Sequence, residues 1–227
     1  VAVANVDRLG DIAGKVQVVS YDPEIINVVL VPVADASGNS AFASGFDWST
    51  ALKNIFKQAV VDVNVTVAPL LTVSGFDGVI NAIPANFEES FTDEMLQIKY
   101  AYLQNFAVPA DKTIVIFVAP DNSDDNALGY MPFKQSYGFV YLDNINNSAP
   151  QFNPPISGTD LLSKAIAHEI GHGAFELKHT FEEYPALEQK SSNNLMDYAS
   201  GTHLMKYQWD AVHSRDWDEA GTFDPEG

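Results

Sequence analysis

The chain has 227 residues, with 30 Asp and Glu against 12 Lys and Arg, a formal charge of −18, and no cysteine. Without cysteine there is no disulfide framework, thiol nucleophile or cysteine-ligated zinc, so any metal must be held by His and carboxylate. The charge repels phosphate backbones and anionic lipid, which excludes nucleic acid and membrane surfaces as expected partners, and no apolar run approaches the ~20 residues that span a bilayer.

The β-branched runs Val16–Tyr21 and Ile26–Val33, separated by Asp22-Pro23, predict two strands. Ser49 is the expected cap of a helix through Ala59, with Leu52, Ile55, Phe56 and Ala59 apolar. Val61–Ala68 alternates with period two, as a strand with one buried face does. Loop residues fill 74–86. A second amphipathic helix starts near Thr92 and places Met95, Leu96, Ile98, Tyr102, Leu103 and Phe106 on its apolar side.

Thr113–Ala119 is continuously apolar and predicts a central strand buried on both faces. The acidic cluster Asp121–Asp125 lacks the ligand spacing and turn glycine of a calcium loop and reads as a solvated turn. Tyr137–Leu142 predicts another strand, and its turn-rich flanks, Pro132 before and Asn144 to Asn147 after, place it at a sheet edge. After the Pro-rich stretch 150–155, Thr159 or Asp160 is expected to cap a helix beginning at Leu161. Beyond Thr180 the chain is polar and irregular apart from a short helix near Lys206–His213. The expected class is α+β with an α/β-like N-terminal part: a mixed twisted sheet, then one long helix, in a single domain over 1–227. Residues 1–173 would hold the sheet and the helix, and 174–227 a smaller irregular part.

The helix from Leu161 contains His168-Glu169-Ile170-Gly171-His172, an HExxH match. Positions four apart on an α-helix differ by about 40° in azimuth and about 6 Å in rise, so both imidazoles can converge on one zinc ion. Glu169 points to another sector, where a carboxylate can take a proton from activated water. A third ligand is needed. Three of the five histidines, His168, His172 and His179, fall within twelve residues, but a straight helix would carry His179 ~10 Å past the ion. The chain must therefore turn back after His172, with Gly173 the expected left-handed stop. His179 is the first candidate; Glu176, Glu182, Glu183, Glu188 and Asp197 are the alternatives. His203 and His213 read as surface or structural.

The run HEIGHGAFELKHT at 168–180, followed by Asn193-Asn194-Leu195-Met196-Asp197-Tyr198, resembles the metzincin branch of zinc peptidases. Their signature is HExxHxxGxxH with a tight Met-containing turn downstream. Here the third His comes one position late, and Phe175 stands where the family's glycine belongs. The resemblance implies a zincin-like fold, zinc held by His168, His172 and His179, a Met-turn at Leu195–Tyr198 packed by Met196, and Tyr198 as the residue that touches the metal or the oxyanion. The longer stretch is also similar to zincin domains at the C-termini of bacterial secreted or polymorphic toxin proteins, which implies a cognate inhibitor or immunity protein as a further partner.

The function expected is therefore a zinc endopeptidase with Glu169 as general base, acting on a peptide extended along an edge strand, with Tyr137–Leu142 the candidate. Alternatives are a zinc hydrolase of a non-protein amide or cell-wall bond, and a non-catalytic binding module with a structural metal. VAVANVDRLG carries no signal-peptide pattern. The expected setting is extracellular, as a monomer and as a fragment of a larger exported protein.

Overall fold

The computed structural model describes residues 2–5 and 12–16 as backbone, and 20–81, 91–122 and 127–214 with their side chains. An antiparallel pair comes first, β1 (Ala2–Asn5) with β2 (Ile12–Val16). Strand β3 (Glu24–Pro32), helix α1 (Trp48–Phe56) and strand β4 (Val61–Val67) follow. Then come β5 (Val79–Ile80), α2 (Asp93–Asn105), β6 (Thr113–Ala119), β7 (Asp121–Asn122) and β8 (Gly129–Tyr130). Strand β9 (Tyr137–Tyr141) runs straight into α3 (Leu142–Ser148). The long helix α4 (Gly158–Phe175), the single turn α5 (Thr180–Glu183) and α6 (Lys206–Ser214) complete the order.

The central sheet is mixed and has five strands in the order β4-β3-β6-β9-β8. The first four are parallel, and β8 is antiparallel to β9. Strand β6 lies in the middle and every residue of it is buried, as its unbroken apolar run predicts. Ile114, Ile116 and Val118 face a core shared with Trp48, Leu52 and Phe56 of α1 and Leu162, Ala165 and Ile166 of α4. Val115, Phe117 and Ala119 face the other way, onto Met95, Ile98 and Tyr102 of α2. The sheet thus has a helical layer on each face, and α4 is clamped between the sheet and the C-terminal segment.

Several boundaries differ from the sequence reading. Helix α1 is capped by Asp47, whose Oδ1 accepts from the Thr50 amide at 3.0 Å, and not by Ser49. Starting there brings Trp48 into the core, where its indole donates to Ala43 O at 2.9 Å. Ser157, not Thr159 or Asp160, caps α4. Its Oγ accepts from the Asp160 amide at 3.0 Å and donates to Asp160 Oδ2 at 2.7 Å, and this pairing starts the helix three residues before Leu161.

The edge assignment of Tyr137–Leu142 is incorrect. β9 is covered by β8 and wholly buried, and Leu142 already belongs to α3. The turn signals before it mark a chain reversal that brings Gly129–Tyr130 alongside. The asparagines after it are helical, with Asn144 buried and donating to Ala127 O at 2.9 Å. Of the strand expected at Val16–Tyr21, only Val16 is in a strand, and 17–19 lie outside the described residues. In the acidic cluster, Asp121 and Asn122 pair with β5, whereas Ser123, Asp124 and Asp125 also lie outside. No described helix is long and apolar enough to cross a membrane.

Candidate metal centre

From Leu161 to Phe175 every residue of α4 is buried, which is why its sequence is apolar nearly all round. The helix runs past Gly173 to Phe175, and the left-handed residue is Glu176, at φ +54°. Its amide bonds His172 O at 3.0 Å and that of Leu177 bonds Gly171 O at 2.9 Å, closing the last turn. The stop therefore sits three residues before His179, the spacing of the glycine in HExxHxxGxxH. The extra residue has lengthened the helix and moved the turn and the third His together. A residue with a Cβ in this conformation costs about 1–2 kcal/mol, and the Glu176 carboxylate offsets little of it, being 3.7 Å from Lys134 and exposed. Glu176→Gly is expected to raise stability by ~1 kcal/mol; an unchanged or lowered denaturant midpoint would contradict the strain.

Gly171 and Gly173 serve packing, not termination. A Cβ on Gly171 would lie 2.6 Å from Met196 Sδ, and one on Gly173 would lie 2.1 Å from Met131 Cε. These two positions let the Leu195–Tyr198 turn and the β8–β9 connection press against the helix on either side.

His168 and His172 project from α4, and the reversal after Glu176 returns His179 to meet them. The three Nε2 atoms lie 3.1 Å (168 to 172), 3.3 Å (168 to 179) and 3.2 Å (172 to 179) apart. Tautomers follow from the opposite nitrogens. His168 Nδ1 donates to Leu195 O at 2.8 Å and His172 Nδ1 to Leu177 O at 2.7 Å, because a carbonyl can only accept. His179 Nδ1 lies 3.1 Å from Glu182 Oε1. With these two protons on Nδ1, the Nε2 lone pairs of His168 and His172 face each other and no hydrogen bond can join those two. All three rings are buried. Burial, followed by the mutual repulsion of the rings, holds His168 and His172 well below the ordinary imidazole range; burial also lowers His179, against the opposing charge of Glu182. The rings are therefore neutral donors. A tetrahedral ion with N–metal distances of ~2.0–2.1 Å has N···N edges of ~3.3–3.4 Å. The cluster fits such an ion, and His168, His172 and His179 are the residues that could hold it.

Glu169 is 4% exposed. Burial pushes its carboxyl well above the usual range, opposed by the charge of Lys164, and its Oε2 has no hydrogen-bond partner among the described residues. β8 crosses directly over it: a Cβ on Gly129 would stand 2.6 Å from Glu169 Oε1 and 2.8 Å from its Cγ and Cδ. Gly129→Ala is expected to force Glu169 or β8 aside and to lower stability by about 1–3 kcal/mol; an unchanged denaturant midpoint would contradict the close packing.

Lys164, one turn before His168, is buried. Its Nζ donates to Asp197 O at 2.8 Å and Leu195 O at 3.4 Å, tying helix to turn. Burial pushes it down to about 8 despite the nearby Asp197 and Glu169. The turn is also held by a buried amide pair. Asn194 Nδ2 donates to Gln208 Oε1 at 2.7 Å, while Asn194 Oδ1 accepts from the Met196 amide at 2.8 Å. Tyr198 is 40% exposed, with its ring centroid 4.8 Å from that of His179. Burial and the surrounding carboxylates push its hydroxyl up to about 12.

The Asp197 carboxylate faces donors, not the imidazoles. It accepts from the Ser192 hydroxyl at 2.7 Å and from the amides of Lys190 (2.7 Å), Ser192 (2.8 Å) and Tyr198 (2.7 Å). Burial works to raise its pKa, but these bonds prevail and hold it below the ordinary value. A depressed folded pKa contributes stability above the unfolded value of ~3.9 and loses it as pH falls through the folded value. Asp197→Asn is expected to cost about 1–3 kcal/mol at neutral pH. That difference should shrink on acidification below ~4; denaturant midpoints at the two pH values check it, and a gap independent of pH would count against the charged acceptor.

Of the alternative ligands, Glu176 faces Lys134, Glu182 faces the far side of His179, and Glu183 and Glu188 are exposed. His213 stacks on Tyr21 and bonds Ala59 O, and His203 is exposed, its backbone pairing with Asn194. Sequence reasoning did not single out Gly129, Lys164, Phe181 or the pair Asn194 and Gln208. Only Lys164 had a local sign, a charged residue in an otherwise apolar helix segment one turn before His168.

No family model matches the chain, and none of the curated proteins matches it in sequence. Among solved structures it is similar to metalloproteinase-II from Bacteroides fragilis, at 16% identity and a TM-score of 0.48, over 84% of this chain and 52% of that one. It is also similar to archaemetzincin from Methanopyrus kandleri, at 12% identity and a TM-score of 0.43, over 83% and 87%. The chain spans about half the length of the Bacteroides protein. The three converging nitrogens, and not these distant likenesses, identify the candidate site.

Proposed function

We propose that the protein is a zinc-dependent endopeptidase. The observation that carries this reading is the meeting of three buried histidine Nε2 atoms, 3.1–3.3 Å apart, beside a buried carboxylate that no structural metal site needs. Imidazole donors suit zinc, and three protein ligands leave a coordination position open, as catalytic zinc sites do. When bound, the ion supplies Lewis acidity at the scissile carbonyl and acidifies water.

The chain's own residues supply the rest. Glu169 takes the proton of the attacking water as the C–O bond forms, and gives it to the amine nitrogen as the C–N bond breaks. Tyr198, whose hydroxyl stays protonated at neutral pH, donates to the developing oxyanion. The substrate pairs as an extended strand with the outer side of β8, the last strand of the central sheet, whose Gly129 packs on Glu169.

Zinc-loaded protein incubated with an unfolded polypeptide is expected to cut it at internal bonds, and a chelator should stop the cutting. Cleavage of peptidoglycan but not of polypeptide would transfer the same chemistry to a cell-wall bond. Full zinc occupancy with no hydrolysis of either would overturn the enzyme reading.

A further inference from the structure

Two of the three imidazoles are oriented by the main chain, His168 by Leu195 O and His172 by Leu177 O. The third is oriented differently. The atom facing His179 Nδ1, at 3.1 Å, is Oε1 of Glu182, and the other oxygen of that carboxylate accepts from the His179 amide at 3.3 Å. One side chain thus grips both the ring and the backbone of the same residue. Phe181 lies parallel to the imidazole, with centroids 4.9 Å apart and planes at 14°, and Tyr198 meets it edge-on, so the faces are packed as well. His179 is also the one ligand outside α4. It caps the four-residue helix α5, which is anchored through the Thr180 amide on Met196 O at 3.1 Å. The direction of its ring is therefore not set by a long helix, as those of His168 and His172 are.

We propose that Glu182 is the positioning residue of the third metal ligand. It holds the ring so that Nε2 turns towards His168 and His172, and places a negative charge 3.1 Å behind Nδ1 that strengthens the ring as a donor. The inference rests on the metal-centre reading above. It accounts for a carboxylate directed at a buried imidazole although its own side chain is 46% exposed.

The test is zinc affinity, measured on the folded metal-free protein by competition with a chromophoric chelator. The comparison is between the parent chain, Glu182→Ala, Glu182→Gln and Glu183→Ala. Glu183 is the adjacent exposed carboxylate of α5, and its loss makes the same change of net charge. Glu182→Ala is expected to weaken zinc binding by about 10- to 100-fold, well beyond the small drop in metal-free stability that losing its bond to the His179 amide brings. Glu182→Gln, which keeps an acceptor oxygen, should recover part of that loss, and Glu183→Ala should stay near the parent. Zinc affinity of Glu182→Ala within about twofold of the parent would overturn the proposal, since outer-sphere partners are worth more than that. So would an equal loss in Glu183→Ala, which would reduce the effect to net charge, or a matching loss of metal-free stability. A parent chain that takes up no zinc would overturn the metal-centre reading itself, an outcome visible before any variant is compared.

Discussion

Replacement of Glu169 by Gln is expected to leave fold and zinc content intact and to lower hydrolysis by about 10²- to 10⁴-fold, the usual contribution of a general base. The two side chains have nearly the same shape, so the tight space under Gly129 is filled as before. The amide cannot accept a proton, and this is the property removed. The readout must pair turnover with metal content on the same preparation. Retained turnover at full zinc would eliminate Glu169 as the base. Loss of zinc along with turnover would show instead that the carboxylate belongs to the ligand set, against the geometry that assigns three nitrogens to it.

The second large effect concerns His179. Zinc-binding free energies of roughly 10–16 kcal/mol in structural sites are shared among the ligands. Removing one of three imidazoles should then cost several kcal/mol, on the order of a 10³-fold weaker site. His179→Ala is expected to lose turnover and also the metal-dependent rise in melting temperature. That rise is worth ~2.7 kcal/mol when zinc is present at 100 times its dissociation constant. His168 and His172 remain held by Leu195 O and Leu177 O, so the variant should fold and keep a weak two-point site. Parental zinc affinity in His179→Ala would eliminate His179 as a ligand.

The sequence reading and the structure agree on the central strand and on the histidine pair of the long helix. The unbroken run Thr113–Ala119 could only be a strand buried on both faces, and four-residue spacing on a helix brings His168 and His172 together whatever surrounds them. Absence of cysteine left imidazole and carboxylate as the only donors. These features need nothing beyond backbone geometry and residue chemistry, so they were legible from the chain alone.

The rest depended on contacts between distant segments. Glu176 takes the left-handed turn in place of Gly173 because Gly173 is committed to Met131 and Gly171 to Met196, and no local rule records either contact. Turn residues flanking Tyr137–Tyr141 look the same whether the chain leaves a sheet or folds back to add a strand. Only the pairing with Gly129–Tyr130 decides, and it moves the edge of the sheet onto Glu169. The meeting of the three imidazoles was decided in the same way. His179 had carboxylate rivals in sequence, and what brings it to His168 and His172 is a reversal closed by bonds to Gly171 O and His172 O and pinned to Met196 O. Helical periodicity determines which residues share a face, but the point at which a helix stops, and what it meets there, is decided by packing across the fold.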